Sequence, residues 1–543
     1  MRFSVLTIIL FTFGCGSSEY TPGLVDAKLF FSPETEQNKW VAFKFSVQGP
    51  GVPEGLSTIA LLRFGRNAEI PNIPYGYQRR ITVEVCTTEQ CDPAKAGDIV
   101  AKGMSKRFDL LTSSEHESLN IFVMPRNFVG RPMALENPLS ESKPAVSDRV
   151  GATVTTLFDG RILIAGGAKI KKDSATWFNE ADIETITKEA EIYDPNTGKF
   201  ELVSPMTEPR AFHQAVRVRD GRVVLLGGFT RTSDGAISLT GSVEVFDPKS
   251  NTFQKDTGQG KLPVGRALFS AFVVESDGNA IVVIGGRSSP PQGALYVDVY
   301  FPGAGIIFHS DPNMFPGSTP LKAVRWNHSA VFVPDYKRDI DGKGSQAIIL
   351  FGGENDQGIV SDVEAFTIAP TSPFQTIRDE LSVVQMPQGG RTHIASVYIR
   401  PHGYVYLVGG FQEKGAKNPS SRVDVYSAAS GQFKGALQSL TMPRGAATAT
   451  LLDNNIIFIA GGLGSQGVLD ETALVMEQLV CQDPQKMEGC AYQVTLREGI
   501  TPKLLDSRAG HLAVYDATGK VLMLGGFTND RTGVRPALFY NPD

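Results

Sequence analysis

Seven arginines recur at intervals through the chain, Arg149, Arg210, Arg266, Arg325, Arg391, Arg444 and Arg508, and each precedes a pair of glycines. Guanidinium groups repeated in this way can do one of two things. Gathered at the mouth of a ring, they would bind anionic ligands such as carboxylates or phosphates through bidentate contacts. Set one by one beside carboxylates, they would form repeated ion pairs. Acids do recur with almost the same regularity, at Glu191, Glu244, Asp298, Glu364 and Asp424. This matched recurrence favours structural pairs over a ligand site.

Imidazoles follow the arginines in four units. His213, His328 and His511 stand three residues after theirs, and His393 two after its own, where other units carry Ala152, Phe269 and Ala447. Several histidines around a channel could bind a metal. They come from different units, however, and need not converge, so bonding to the backbone of the neighbouring unit is the plainer reading. Asp339-Ile-Asp341-Gly342-Lys-Gly344 opens like a calcium loop, but its twelfth position is Leu350 and not glutamate, so a surface hairpin fits better. Glu354, Asp356 and Arg287 follow glycine pairs in loops, which are polar in any case, and receive no role. No catalytic residue, metal ligand or cofactor is expected.

The elements that must position these residues are short strands. Gly166-Gly167, Gly227-Gly228, Gly285-Gly286, Gly352-Gly353, Gly409-Gly410, Gly461-Gly462 and Gly525-Gly526 each end an apolar run, such as Arg161-Ile-Leu-Ile-Ala. Near-continuous apolar strands suit burial between neighbouring sheets, and paired glycines permit close backbone approach where a strand ends. A third strand in each unit reads like Glu191-Ile-Tyr-Asp-Pro or Glu244-Val-Phe-Asp-Pro. A fourth carries an aromatic residue, Phe200, Phe253 or Phe433. Four antiparallel strands repeated seven times describe an all-β, seven-bladed propeller.

With its diglycine, spaced aromatics and Tyr-Asp-Pro, the unit resembles the Kelch repeat, over residues 129–543. The seventh unit ends after its third strand, Ala537-Leu-Phe-Tyr-Asn-Pro. A stretch near 132–135 stands where a fourth strand would precede Arg149, and is expected to pair with the last blade and close the ring. The resemblance extends in outline to galactose oxidase-like copper oxidases, which add an N-terminal β-sandwich to the same plan. Their site uses a cysteine cross-linked to a tyrosine beside paired histidines, and no such set occurs here. Sialic-acid mutarotases of this type are smaller and typically six-bladed.

Residues 27–128 contain alternating runs such as Trp40-Val-Ala-Phe-Lys-Phe-Ser-Val and Ile81-Thr-Val-Glu-Val-Cys, and are read as a small β-sandwich-like domain. Ahead of it, Arg2 and the apolar run Phe3 to Phe13 have the form of a leader, too short for an ordinary spanning helix. Gly14-Cys15 then resembles the end of a bacterial lipobox. The resemblance implies a signal peptide over 1–14, lipid on Cys15, a tether over 15–26, and a place in the cell envelope at the outer membrane. With Cys15 so assigned, the remaining cysteines fall into two close pairs, Cys86-Cys91 and Cys481-Cys490, read as disulfides of an oxidising compartment. Neither pair has the histidine or second cysteine pair that a metal site would need.

A net charge of −5 with no basic block gives a nucleic-acid role little support. The expected function is a binding module for an envelope or extracellular protein or glycan, acting through propeller loops. A structural spacer and a carbohydrate-active enzyme are the alternatives. The longest loop, residues 168–189, holds Lys171, Lys172, Trp177 and Phe178, and is the expected contact surface.

Overall fold

Runs such as Ile162–Ala165 and Val521–Leu524 have no polar side of their own, and the fold gives them none to expose. In the computed structural model each is the second strand of a four-stranded antiparallel sheet, covered on both faces. The structure describes residues 5–11, 24–32, 39–61, 73–95, 97–111, 116–134, 137–141, 149–171, 180–256, 261–274, 279–311, 313, 319–338, 344–369, 375–378, 384–437, 439–480, 491–529 and 537–542.

Seven such sheets follow one another along the chain as blades 1 to 7. Their innermost strands are Thr153–Thr156, Gln214–Arg217, Ser270–Val273, Ser329–Arg338, Ala395–Ile399, Thr448–Leu451 and Leu512–Tyr515. Blade 4 carries a short fifth strand, Val384–Gln385, beside its third. Side chains alternate between the two neighbouring blades. Leu163 and Ala165 pack with Val223 and Leu225 of blade 2, while Ile162 and Ile164 pack with Leu522 and Leu524 of blade 7. Burial on both faces is why these strands lack the apolar-polar alternation of a half-wet sheet.

The ring closes with a strand from ahead of the repeats, but not the expected one. Phe128–Gly130 pairs antiparallel with Leu538–Asn541 as the fourth strand of blade 7. Met133–Ala134, in the 132–135 stretch assigned this role from sequence, pairs instead with Asn137–Glu141 in a separate hairpin. Alignment on Arg149 places the strand too late because the connection to blade 1 contains that extra hairpin.

The glycine pairs tie the blades together in a circle. The second glycine of each pair donates its N–H to the carbonyl of the next blade's arginine: Gly167 to Arg210, Gly228 to Arg266, Gly286 to Arg325, Gly353 to Arg391, Gly410 to Arg444, Gly462 to Arg508, and Gly526 back to Arg149. These bonds run 2.8 to 2.9 Å. The first glycine lies so close to the same carbonyl that a Cβ would meet it at 2.1 Å at Gly352 and Gly409. That approach, together with φ near +60°, is what requires glycine here.

The N-terminal strands form a sheet folded over its own core. Leu24–Phe31 runs parallel to His116–Pro125, while Ser57–Leu61, Ala42–Gln48, Gly76–Cys86 and Ile99–Met104 form an antiparallel set. The two halves meet where Ile99–Met104 pairs with the end of His116–Pro125. Val25, Leu29, Ile121 and Val123 face Phe43, Phe45, Ile81 and Val83 across a single core, a sandwich-like arrangement. Cys86 and Cys91 are disulfide-bonded. Val5–Phe11, read from sequence as part of a leader, takes a place in this sheet, pairing antiparallel with Leu24–Phe31. An apolar run finds hydrogen bonds for its backbone at a sheet edge.

The opposite side of this domain, with Phe30, Phe122 and Met124, packs on Tyr193, Leu522 and Phe539 of blades 1 and 7. Asn541 holds the seam, its amide donating to the carbonyls of Met124 at 3.0 Å and Pro125 at 2.9 Å. Arg80 donates to the Ala517 carbonyl at 2.9 Å and pairs with Asp453 at 3.5 Å. Ala517 and Asp453 belong to turns between first and second strands. In an antiparallel blade these turns share one end with the turns between third and fourth strands. The second-to-third hairpins therefore rise from the opposite end of the propeller, away from these contacts.

Candidate functional site on the hairpin face

The arginines are buried within the blades. Arg149 meets Glu191 at 3.0 Å, Arg210 meets Glu244 at 2.6 Å, and Arg266 meets Asp298 at 2.6 Å. Arg325 pairs with Glu364, and Arg391 with Asp424. Each acid sits on the third strand, beside the apolar second strand that ends in the glycine pair. The long acids also accept from turn backbone: Glu244 takes the Thr207 N–H at 2.7 Å and Glu364 the Lys322 N–H at 3.1 Å. The shorter aspartates take a second side chain instead, His309 on Asp298 and Arg422 on Asp424.

Blades 6 and 7 depart from this scheme. Their third strands put Ala473 and Leu538 at the acid's register. Arg444 is held by carbonyls instead, those of Met442 at 3.1 Å, Gly461 at 3.1 Å and Glu471 at 3.0 Å. Arg508 lies 3.7 Å from Asp506. All seven guanidiniums are thus enclosed by their own blades, and none is offered to a ligand at the channel mouth.

The histidines bond across blades to hydroxyl side chains, where backbone partners were expected. His213 meets Thr153 at 3.0 Å, His328 meets Ser270 at 3.1 Å and His511 meets Thr448 at 2.9 Å. Each partner opens the innermost strand of the preceding blade. Desolvation by burial pushes the imidazoles of His328 and His511 down to about 3, with the nearby arginine adding to the effect. They are neutral at physiological pH. Among the described residues, no group of three or more His, Cys, Asp or Glu side chains is placed to hold a metal.

His393 belongs to a different ring, one that sequence inspection missed. The residue two after each arginine has left-handed backbone in every blade: Gly151, Phe212, Leu268, Asn327, His393, Ala446 and Gly510, with φ between 50° and 67°. These residues form a collar. Phe212 donates its N–H to the Gly151 carbonyl, Leu268 to Phe212, His393 to Asn327, Ala446 to His393 and Gly510 to Ala446. Holding a side chain in this conformation costs roughly 1–2 kcal/mol per residue. The interlocking bonds over-determine it. Only two of the seven positions are glycine, so composition carried no sign of the collar.

Around the collar, the residue after each glycine pair bridges to the residue after an arginine. The bridged pairs are mostly apolar or small: Val150 with Ala168, Ala211 with Phe229, Gly445 with Leu463 and Ala509 with Phe527. Blades 3 and 4 break the pattern. Arg287 pairs with Ala267, and Glu354 with Trp326. Glu354 is only 7% exposed. Its Oε1 accepts the Asn327 amide at 2.8 Å, and its backbone exchanges two hydrogen bonds with Trp326. The Arg287 guanidinium lies 5.9 Å from the Trp326 ring centroid and pairs at 3.1 Å with Glu180 of the long blade 1 loop. This sector brings a carboxylate, an indole and a guanidinium together where the other blades are greasy.

Of the expected contact surface, Lys171 is exposed and donates to the Ala181 carbonyl at 2.8 Å. Lys172, Trp177 and Phe178 lie outside the described residues, as do Cys15, Cys481 and Cys490. The far end of the same loop, at Glu180, reaches past blade 2 to Arg287, with Glu184 of its returning strand accepting a bond from Arg231.

No family model matches the chain. Over 156 residues it is 28% identical to Beta-scruin of Limulus polyphemus, a match covering 28% of this chain and 15% of that protein. The chain thus spans a small fraction of the curated relative. The solved structure of YjhT covers 66% of this chain and 99% of its own at 14% identity, with a TM-score of 0.42, and at those values says nothing of function. Seven diglycine units, each a four-stranded blade, make this chain a seven-bladed β-propeller whose units resemble the Kelch repeat.

Proposed function

We propose that the chain is a binding module of the cell envelope that recognises a protein or glycan through the hairpin face of its propeller. The observation carrying this reading is the break in repeat symmetry at blades 3 and 4. The arginines and glycine pairs recur in every blade, whereas the bridged positions around the collar carry a charged side chain, Arg287 with Ala267 and Glu354 with Trp326, in blades 3 and 4 alone. The hairpin face is opposite the turns that hold the N-terminal domain, so a partner can reach it without displacing that domain. Rigid sheets bearing variable loops are a common support for recognition.

Lipid on Cys15 would tether the module, with processing ahead of Cys15 removing the Val5–Phe11 edge strand. Capture by the immobilised chain from envelope proteins and glycans tests the reading. We expect a partner retained by the intact chain and lost when the hairpins of blades 1 to 4 are replaced by short turns. Retention after that replacement would overturn the assignment to this face. Labelling with a radioactive fatty acid, abolished by Cys15→Ala, tests the tether.

A further inference from the structure

The sector at blades 3 and 4 has a chemistry of its own, and resting on the hairpin face as the binding surface, it narrows what is bound. We propose that Arg287, Trp326 and Glu354 form a subsite for a neutral saccharide, with Asn327 positioning the carboxylate.

The argument starts from what each group leaves open. Glu354 is nine-tenths buried, and of its two oxygens Oε1 is taken by Asn327, while Oε2 receives no bond from any described residue. Oε2 is not among the side-chain atoms sealed from solvent, so it stands open to a donor from outside. Arg287 spends one side of its guanidinium on Glu180 and remains 43% exposed. Two backbone hydrogen bonds to Glu354 fix the main chain of Trp326, and its half-buried indole lies 5.9 Å from the Arg287 guanidinium.

The charge pattern selects among ligands. A free anion would meet the Glu354 carboxylate, and a free cation would meet Arg287. A hydroxyl group suits both, since it donates to one and accepts from the other. The C–H face of a sugar ring covers an indole as other apolar surface does, and a site with one aromatic wall and a few convergent polar groups is typical of small-ligand recognition. Asn327 acts through Glu354. Its amide occupies Oε1 and leaves Oε2 to accept from a ligand.

Isothermal calorimetry on the full chain tests the proposal, using neutral gluco-, galacto- and N-acetylglucosamine oligosaccharides beside one anionic set (oligogalacturonate) and one cationic set (oligoglucosamine). We expect a neutral oligosaccharide to bind and both charged sets to bind more weakly. Glu354→Gln keeps the acceptor for Asn327 and removes the charge. It and Trp326→Ala should each weaken binding by about tenfold or more, with Glu354→Gln unchanged in thermal unfolding. Asn327→Ala should weaken binding less, and Asn327→Asp should not rescue it. No binding to any neutral sugar, preference for a charged set, or full affinity in Glu354→Gln each overturns the subsite. Failure here with partner capture still dependent on the hairpins would leave the broader reading standing, while loss of both would remove it.

Discussion

At the scale of single residues, the repeated arginine has two kinds of setting, and they predict different costs. Arg210 faces the fully buried Glu244, and removing the guanidinium would strand a carboxylate in the interior. Such a loss typically costs about 3–5 kcal/mol. Arg444 is held by three carbonyls, with Ala473 at the register where other blades carry an acid. The carboxylates near it, Glu498 and Glu471, are partly exposed, so removing Arg444 leaves hydrogen bonds unmade but strands no fully buried charge. That costs about 1–3 kcal/mol. Arg210→Met should therefore lower the unfolding temperature markedly more than Arg444→Met, and equal losses would show that pairing with the acid is not what the arginine supplies. The recurrence of arginine and acid was plain in the sequence because both are charged and regularly spaced. The hydroxyl partners of His213, His328 and His511 were not, since Thr153, Ser270 and Thr448 look like ordinary strand residues until neighbouring blades are set side by side.

At the scale of the element, the glycine pair joins one blade to the next, and its two demands can be separated. Gly409 and Gly415 lie in the same blade with similar left-handed backbone, φ of 60° and 71°. A Cβ on Gly415 would meet nothing within 4 Å, whereas one on Gly409 would lie 2.1 Å from the Arg444 carbonyl. Gly415→Ala should cost roughly 1–2 kcal/mol, the backbone penalty alone. Gly409→Ala adds a clash with rigid backbone and should cost about 3 kcal/mol or more. Urea unfolding of the two variants decides it, and similar midpoints would mean that the inter-blade approach relaxes without penalty. The pairs were legible because two glycines at the end of an apolar run are conspicuous. The collar stayed hidden because phenylalanine, leucine and alanine at positive φ leave no compositional mark, the conformation being imposed by the neighbouring blade.

At the scale of the whole molecule, blade count and order were readable from the repeats, but the closing strand was not. Phe128–Gly130 is three residues long and carries none of the repeat's signatures, so only its pairing with Leu538–Asn541 identifies it. The same pairing joins ring and N-terminal domain, since Asn541 bonds to carbonyls at the end of His116–Pro125. Deleting residues 537–543 should abolish the cooperative thermal transition of the whole propeller. A variant that still melts as a unit, with only a small loss of sheet signal by circular dichroism, would show that the ring does not depend on this seam. The clasp also sets an order of events during synthesis. Asn127, beside the closing strand, and its partner Tyr540 are 413 residues apart in the chain. At roughly 5–20 residues per second, the early half of the seam waits on the order of 20–80 s for its mate. Through that interval the nascent chain displays an unpaired strand beside a growing row of incomplete blades. Leu538–Asn541, on pairing with Phe128–Gly130, then turns an open, adhesive stack into a finished ring.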